Sequence, residues 1–312
     1  MKYNALGKTG LRVSELSFGA SSLGGVFHEI DETEAIGAVH RVLEAGINYI
    51  DVSPAYGATK AEKVLGKALR GVDRATYYLS TKVGKYTKPG CYGCDTFDYS
   101  AKRIRSSIEE SMERVGVEYF DIVYLHDFDY ENQRHADQAL EEGYATLQEL
   151  KKEGRIGAVG GGIYAMDLWK RMLIETEAEV LLVHNHYCLN DIRLLELLPL
   201  CQQQGVGIVN ASPFGSGLLT ARGAPDWHPA TAEQRTYFAK AAKLCEERGT
   251  SISKLALQYS SQHPEVPTTL FSSARPTSIE RNLKWYSEPC DYLLVAEVQR
   301  ILEPVMNLQW PY

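Results

Sequence analysis

Apolar positions along this chain alternate between two spacings. A short, nearly continuous apolar run gives way to a stretch with apolar residues every three or four positions, and the cycle then repeats. The runs are Leu16–Gly19, Tyr49–Asp51, Tyr77–Lys82, Phe120–Leu125, Ile156–Gly160, Val180–Asn185, Gly207–Ala211 and Val266–Phe271. Each reads as a strand, and runs such as Ile122-Val123-Tyr124-Leu125 suit strands buried on both faces. Helices are predicted near Thr33–Ala45, Lys60–Leu69, Ala101–Val115, Leu140–Glu153, Met166–Leu173, Leu194–Gln204, Ala232–Arg248 and Ser278–Trp285. Asp31-Glu32 start the first helix; Gly46, Gly154 and Gly205 stop three of them.

Eight strand-plus-helix units predict an α/β fold. Parallel strands joined by crossover helices close into a (β/α)8 TIM barrel. Met1–Val13 reads as an N-terminal β-hairpin turned at Gly7 and Gly10, placed to plug the barrel floor. Extra C-terminal helices follow the eighth unit. No internal repeat or low-complexity linker divides the chain, so residues 1–312 are expected to form a single barrel domain. Two long loops, 84–99 and 214–231, carry Gly and Pro breaks and are expected to be functional or disordered.

Composition narrows the picture. With 44% apolar and 23% charged residues the chain is an ordinary globule, and its formal charge of −7 argues against nucleic acid as partner. Met1–Gly10 lacks the apolar core of a signal peptide, and no apolar run is long enough for a membrane helix. A cytoplasmic location is expected. Cys188, Cys201, Cys245 and Cys290 are scattered and read as reduced thiols. Cys91-Tyr92-Gly93-Cys94 has metal or redox spacing. Without a partner CxxC, a plain loop with reduced thiols is the first reading, a metal or disulfide the second. No metal is assigned.

In a barrel of this kind, chemistry sits at the C-terminal ends of the strands. There stand Asp51, Lys82 and His126, with Tyr56 in the loop after the second strand. A buried lysine or aspartate alone is costly; together they compensate. Lys82 near Tyr56 is expected to favour the phenolate and lower its pKa, so that Tyr56 exchanges protons near neutrality while His126 orients the substrate oxygen. Taken singly, Asp51 could be a helix cap, Lys82 a solvated charge and His126 a satisfied strand-end ring.

Gly46-Ile47-Asn48-Tyr49-Ile50-Asp51-Val52-Ser53-Pro54-Ala55-Tyr56-Gly57 resembles an aldo-keto reductase signature. So do Glu62-Lys63-Val64-Leu65-Gly66, Ser80-Thr81-Lys82-Val83-Gly84 and Tyr119-Phe120-Asp121-Ile122-Val123-Tyr124-Leu125-His126. The likeness reaches the aldose 1-dehydrogenase subgroup, L-galactose dehydrogenase among them. His126-Asp127, His186-Tyr187-Cys188-Leu189-Asn190-Asp191 and Asp226-Trp227-His228-Pro229-Ala230 carry it.

The resemblance implies NAD-dependent oxidation of the anomeric carbon of a free aldose, such as L-galactose or L-fucose, to a lactone. It makes Tyr56 the acid/base, supported by Lys82, Asp51 and His126. It places Gly19, Ala20 and Asp51 near the nicotinamide. Ser212, Phe214, Ser216, Gly217 and Leu218 fall on the pyrophosphate, and Ser272, Ser273, Ala274, Ile279 and Asn282 on the adenosine. The chain departs from the family pattern at Gly160-Gly161-Gly162, at His184 or Asn185, at Ala211 and at Ser272. Ser272 and Ser278 lean towards NAD, while Arg275 and Arg281 leave NADP possible. Tyr86, Phe128, Trp227 and His228, on top-face loops, are candidate substrate contacts. The alternatives are an NADPH-dependent aldehyde or ketone reductase, and a nucleotide-binding regulatory subunit with negligible turnover. Oligomeric state is not legible.

Overall fold

The computed structural model describes residues 1–26, 29–90 and 94–310. The elements in chain order are β1 (Tyr3–Ala5), β2 (Arg12–Ser14), β3 (Leu16–Gly19), α1 (Glu32–Glu44), β4 (Tyr49–Asp51), α2 (Lys60–Ala68), β5 (Tyr78–Val83), β6 (Lys85–Thr87), β7 (Asp95–Phe97), α3 (Ala101–Val115) and β8 (Phe120–His126). They continue with α4 (Ala136–Gln138), α5 (Tyr144–Lys152), β9 (Ile156–Gly162), α6 (Met166–Glu175), β10 (Val180–His184), α7 (Leu198–Gln204) and β11 (Gly207–Ala211). The last are α8 (Ala232–Glu247), α9 (Ile252–Ser261), β12 (Thr268–Phe271), α10 (Pro276–Ser287) and α11 (Tyr292–Leu302).

Strands β3, β4, β5, β8, β9, β10, β11 and β12 close a parallel barrel in that order, as the apolar runs predict. Caps fix where the helices start: the Asp31 side chain accepts the Glu34 N–H at 2.9 Å, and Thr231 with Gln234 forms a reciprocal capping box on α8. The β1–β2 hairpin is antiparallel, and its Leu6 and Val13 are fully buried. They pack with Tyr49, Ile122, Tyr124, Val180, Leu182 and Val209 inside the barrel, while Lys8 N–H donates to Gly205 O at 2.8 Å. The hairpin is therefore the floor of the barrel, as expected.

Two elements differ from the sequence reading. The helix covering the sheet between β11 and β12 is α9, most of it buried, which packs on α10. The expected helix near 232–248 does form, as α8, but buries only Phe238, Ala241 and Cys245 and lies against α11. Together these helices and the tail to Trp310 make a second apolar cluster beside the barrel. The expected helix Leu194–Gln204 is split into a 3-10 turn, 193–196, and α7, with Pro199 in the first turn of α7. Proline lacks the N–H that a continuous helix would need there.

The turn after β4 is held by a backbone contact. A Cβ on Gly57, whose φ is +61°, would fall 2.0 Å from Gly24 O. This approach fixes the neighbouring Tyr56 against the first barrel loop. Gly57→Ala is expected to cost about 1–3 kcal/mol through the clash and the left-handed φ. A denaturant titration reads this directly; an unchanged midpoint would contradict the role given to the contact.

Candidate active site

Side chains alternate along a strand, so residues two apart face the same way. On β4, Tyr49 and Asp51 both face into the barrel; on β5, Ser80 and Lys82 do; on β8, Tyr124 and His126 do. The three pairs form a polar column rising from the apolar floor to the mouth. Lys82 Nζ donates to Asp51 Oδ2 and, at 3.2 Å, to Val52 O. Ser80 Oγ donates to Asp51 Oδ1 at 2.7 Å. Because an ionised carboxylate only accepts, the rest of the chain has one direction: Tyr124 donates to Tyr49 (2.8 Å), and Tyr49 to Ser80 (2.9 Å). Asp51 and Lys82 are 2% and 1% exposed, so neither charge is shared with bulk water. Burial pushes the Asp51 pKa up and that of Lys82 down, and each partner's charge opposes the shift.

Tyr56 and His126 sit above this pair. The Lys82 ammonium lies 4.7 Å from the centre of the Tyr56 ring. The His126 ring meets the same ring edge-on, with centres 5.9 Å apart. His126 is held on two sides: its Nδ1 is 3.2 Å from Ser53 Oγ, and its carbonyl accepts from the Tyr99 hydroxyl. Tyr99 packs against Gly84, where a Cβ would meet its ring at 2.0 Å. The four strand-end residues read from the sequence therefore converge at one mouth.

Their electrostatics differ from the expectation at one point. The Tyr56 phenol is pushed well above its ordinary pKa, not below it. Burial is the largest cause, followed by the negative charges of Asp51 and Asp127. Lys82 faces the ring, and its charge is spent on Asp51. Burial also pushes His126 down to about 3, so its imidazole is neutral across the physiological range. Beside it, Asp127 Oδ2 lies 3.7 Å from His126 Nε2 and accepts from Lys85 Nζ at 2.7 Å.

Strands β11, β12, β3 and β4 are neighbours in the barrel, so the loops that follow them line one arc of the mouth. Gly19 lies beside Ser272, with Ala20 buried next to it in the chain, and the Ser272 hydroxyl accepts from Ser22 N–H at 3.0 Å and donates to Ser22 Oγ at 2.7 Å. After β11, a tight turn puts Ser212, Gly215, Ser216 and Gly217 at positive φ, with Phe214 half-buried and Leu218 buried. Asn185 ties that turn to β10 by donating to Ser216 Oγ at 3.0 Å. After β12, Ala274, Ile279 and Asn282 are buried and Ser273 half-buried. Among the described residues none donates to the buried Asn282 Oδ1 atom. A buried acceptor without a donor marks a place where a bound ligand's amine would be satisfied.

The sequence profile of the Aldo/keto reductase family matches residues 15–303. The chain belongs to this family. It is 40% identical to L-galactose dehydrogenase of Arabidopsis thaliana, over 100% of this chain and 97% of the relative. D-threo-aldose 1-dehydrogenase of Pseudomonas sp is 29% identical, over 90% of this chain and 92% of its own. Among solved structures, the holo form of an aldo-keto reductase from Bacillus halodurans superposes with a TM-score of 0.78 at 29% identity, covering 96% of each chain.

Not every expected residue of this aldo/keto reductase reaches the mouth. Phe128 is fully buried and packs edge-on against Tyr99, so it belongs to the core. Tyr86 accepts from Gly84 N–H and lies under the Arg103 guanidinium of α3, outside the barrel. Tyr86 thus turns towards α3, and Phe128 into the core. His228 is 3% exposed and packs edge-on against Trp310; Trp227 is 39% exposed beside it. Trp310 N–H in turn donates to Tyr164 OH, whose ring lies 5.5 Å from that of His184. Among the described residues no cluster of His, Cys, Asp or Glu could hold a metal, and no helix could cross a membrane. Cys91, Tyr92 and Gly93 lie outside the described residues. Cys94 is disulfide-bonded, which corrects the reduced-thiol reading for that residue; the hairpin β6–β7 brings the two ends of its loop together.

The sequence reading missed Tyr49, Ser80 and Tyr124. Their signal was the two-residue spacing below Asp51, Lys82 and His126. Lys82→Met is expected to cost about 3–5 kcal/mol, because it strands a buried carboxylate. Adding Asp51→Asn should recover part of that loss. Unfolding free energies of the two single variants and the double variant test this. Strict additivity would show that the two charges do not support each other.

Proposed function

We propose that this protein oxidises the anomeric carbon of a free aldose, L-galactose or a close relative, to the lactone, using NAD. The observation that carries the reading is the buried Asp51–Lys82 pair directly beneath Tyr56 and a neutral His126. It supplies one proton-exchanging phenol and one neutral hydrogen-bonding ring at the barrel mouth. Likeness to two aldose dehydrogenases supports the substrate class.

Tyr56 is the residue that takes the hemiacetal proton. His126, neutral, orients the reacting oxygen from the other side. Asp51 and Lys82 hold each other's charge, and Ser80 holds Asp51. A nicotinamide, when bound, supplies the hydride acceptor. The arc of Gly19, Ala20, Ser212, Phe214, Ser216, Gly217, Leu218, Ser272, Ser273, Ala274, Ile279 and Asn282 would hold the dinucleotide, with Asn282 Oδ1 matched to an adenine amine.

NAD is favoured over NADP because the two nearby arginines have protein partners. Arg275 lies 3.9 Å from Glu34, and Arg281 stacks on Trp285 at 4.8 Å. The reductase alternative shares the catalytic group and differs in cofactor and direction. The regulatory alternative predicts nucleotide binding with negligible turnover. The complete catalytic group here favours turnover.

Purified protein incubated with each nucleotide and a panel of aldoses, with the reduced nicotinamide followed by absorbance, should show L-galactose oxidation with NAD the better acceptor. Oxidation of none of the sugars would overturn the reading. Tyr56→Phe should lose about 10²- to 10⁴-fold in kcat while still binding nucleotide. A raised phenol pKa leaves Tyr56 protonated at neutral pH, and oxidation needs it deprotonated. Oxidation should therefore climb into the alkaline range, with no limb near ~6.5, where an ordinary imidazole titrates. A limb there would transfer the proton role to His126.

A further inference from the structure

Beside the catalytic group lies a second buried ion pair to which no role has yet been given. Lys85 reaches into the mouth from β6, part of a hairpin outside the barrel, and is clamped on three sides. Its Nζ is 2.7 Å from Asp127 Oδ2, 3.2 Å from Asp95 Oδ2 and 4.0 Å from the centre of the Tyr130 ring. Asp127 is 6% exposed and takes a left-handed backbone, φ +50°, with its N–H donated to Gly162 O at 3.0 Å. Such a cluster is expensive. Burying an ion pair generally gains little over apolar packing, and a left-handed aspartate adds strain. Core packing alone does not call for it.

Its geometry is that of a reader of hydroxyl groups. Asp127 stands beside His126, its Oδ2 3.7 Å from His126 Nε2, so a carboxylate and the neutral ring at the reacting oxygen lie side by side. Among the described residues no group donates to the other oxygen, Oδ1. The carboxylate is thus fixed by Lys85 on one oxygen and left with an unfilled acceptor on the other. Across the mouth, His184 ends β10 half-buried, and none of its described neighbours hydrogen-bonds its ring nitrogens. Burial holds it down at about 4, so it is a neutral ring that can both donate and accept.

We propose that the Lys85–Asp127 pair is a hydroxyl-recognising subsite that fits this mouth to polyhydroxylated substrates. Asp127 accepts from the hydroxyl on the carbon next to the one that reacts, with neutral His184 facing it. This rests on the aldose reading above and adds a recognition site to it. A carboxylate with an unfilled acceptor accepts where a hydroxyl can donate. A site built to bond a hydroxyl strongly rejects the analogue that lacks it, because its own polar group is left unpaired. Asp127 is a specificity residue here; the chemistry stays with Tyr56.

The test compares L-galactose with 2-deoxy-L-galactose in the wild type and in Asp127→Asn. The wild type should prefer the full sugar in kcat/KM by roughly 10- to 100-fold, the range for a hydrogen bond to a charged group. In Asp127→Asn that preference should collapse towards parity. The same preference in both proteins would overturn the proposal. A merely structural role would lower both substrates together and leave the ratio unchanged, which also overturns it. Binding is read separately by saturation-transfer NMR with NADH present, which permits sugar binding but not oxidation. Binding of L-galactose by the wild type that weakens in Asp127→Asn supports the subsite; equal binding, or none by the wild type, overturns it. Asp127-dependent binding without oxidation of either sugar would sink the aldose-dehydrogenase reading and leave the subsite standing.

Discussion

A buried lysine bonded to a buried aspartate at the top of a closed sheet is the constraint on which the rest of this molecule depends. Neither charge survives there alone. Lys82 must meet Asp51 from the adjacent strand, and Asp51 must be held by Ser80, so β4 and β5 are locked in register at this point. The column beneath them continues through Tyr49 and Tyr124 into the apolar floor that the N-terminal hairpin closes. The barrel is therefore apolar at its base and polar at its mouth. The change occurs within two residues on each of three strands.

Above that pair, the field at the mouth is negative. Lys82 is matched by Asp51; Lys85 is shared between Asp127 and Asp95. Both imidazoles are kept neutral by burial. Such an environment keeps a phenol protonated until something positive arrives. The structure thus separates two jobs that the sequence reading had joined. The lysine secures the aspartate and the floor of the site; the proton affinity of Tyr56 is set by burial and by neighbouring carboxylates.

Much of this was legible from sequence, for identifiable reasons. The eight apolar runs are long enough to show as strands, and a barrel forces their polar C-terminal residues to meet, so Asp51, Lys82 and His126 could be placed without coordinates. The loops were harder. Nothing in the local pattern of Tyr86 or Phe128 says whether an aromatic side chain turns inwards or towards a helix; Tyr99 and Arg103, distant in sequence but packed against them, decide it. Two consecutive amphipathic helices, α8 and α9, compete for one place on the sheet, and only tertiary packing shows that α9 takes it. The subsite at Asp127 was half visible, as a charged residue after His126. Its partner Lys85 arrives from a hairpin whose pairing has no strong apolar signature.

The account's central claim is that Tyr56 sits protonated over a charge-compensated Lys82–Asp51 pair. The most direct measurement is an NMR titration of isotope-labelled tyrosine in the nucleotide-free protein, with Tyr56→Phe used to assign the signal. The account predicts a Tyr56 phenol that stays protonated beyond about 10, the ordinary tyrosine value. A phenol that ionises near neutrality in the free protein would contradict it, and would give Lys82 an acidifying role.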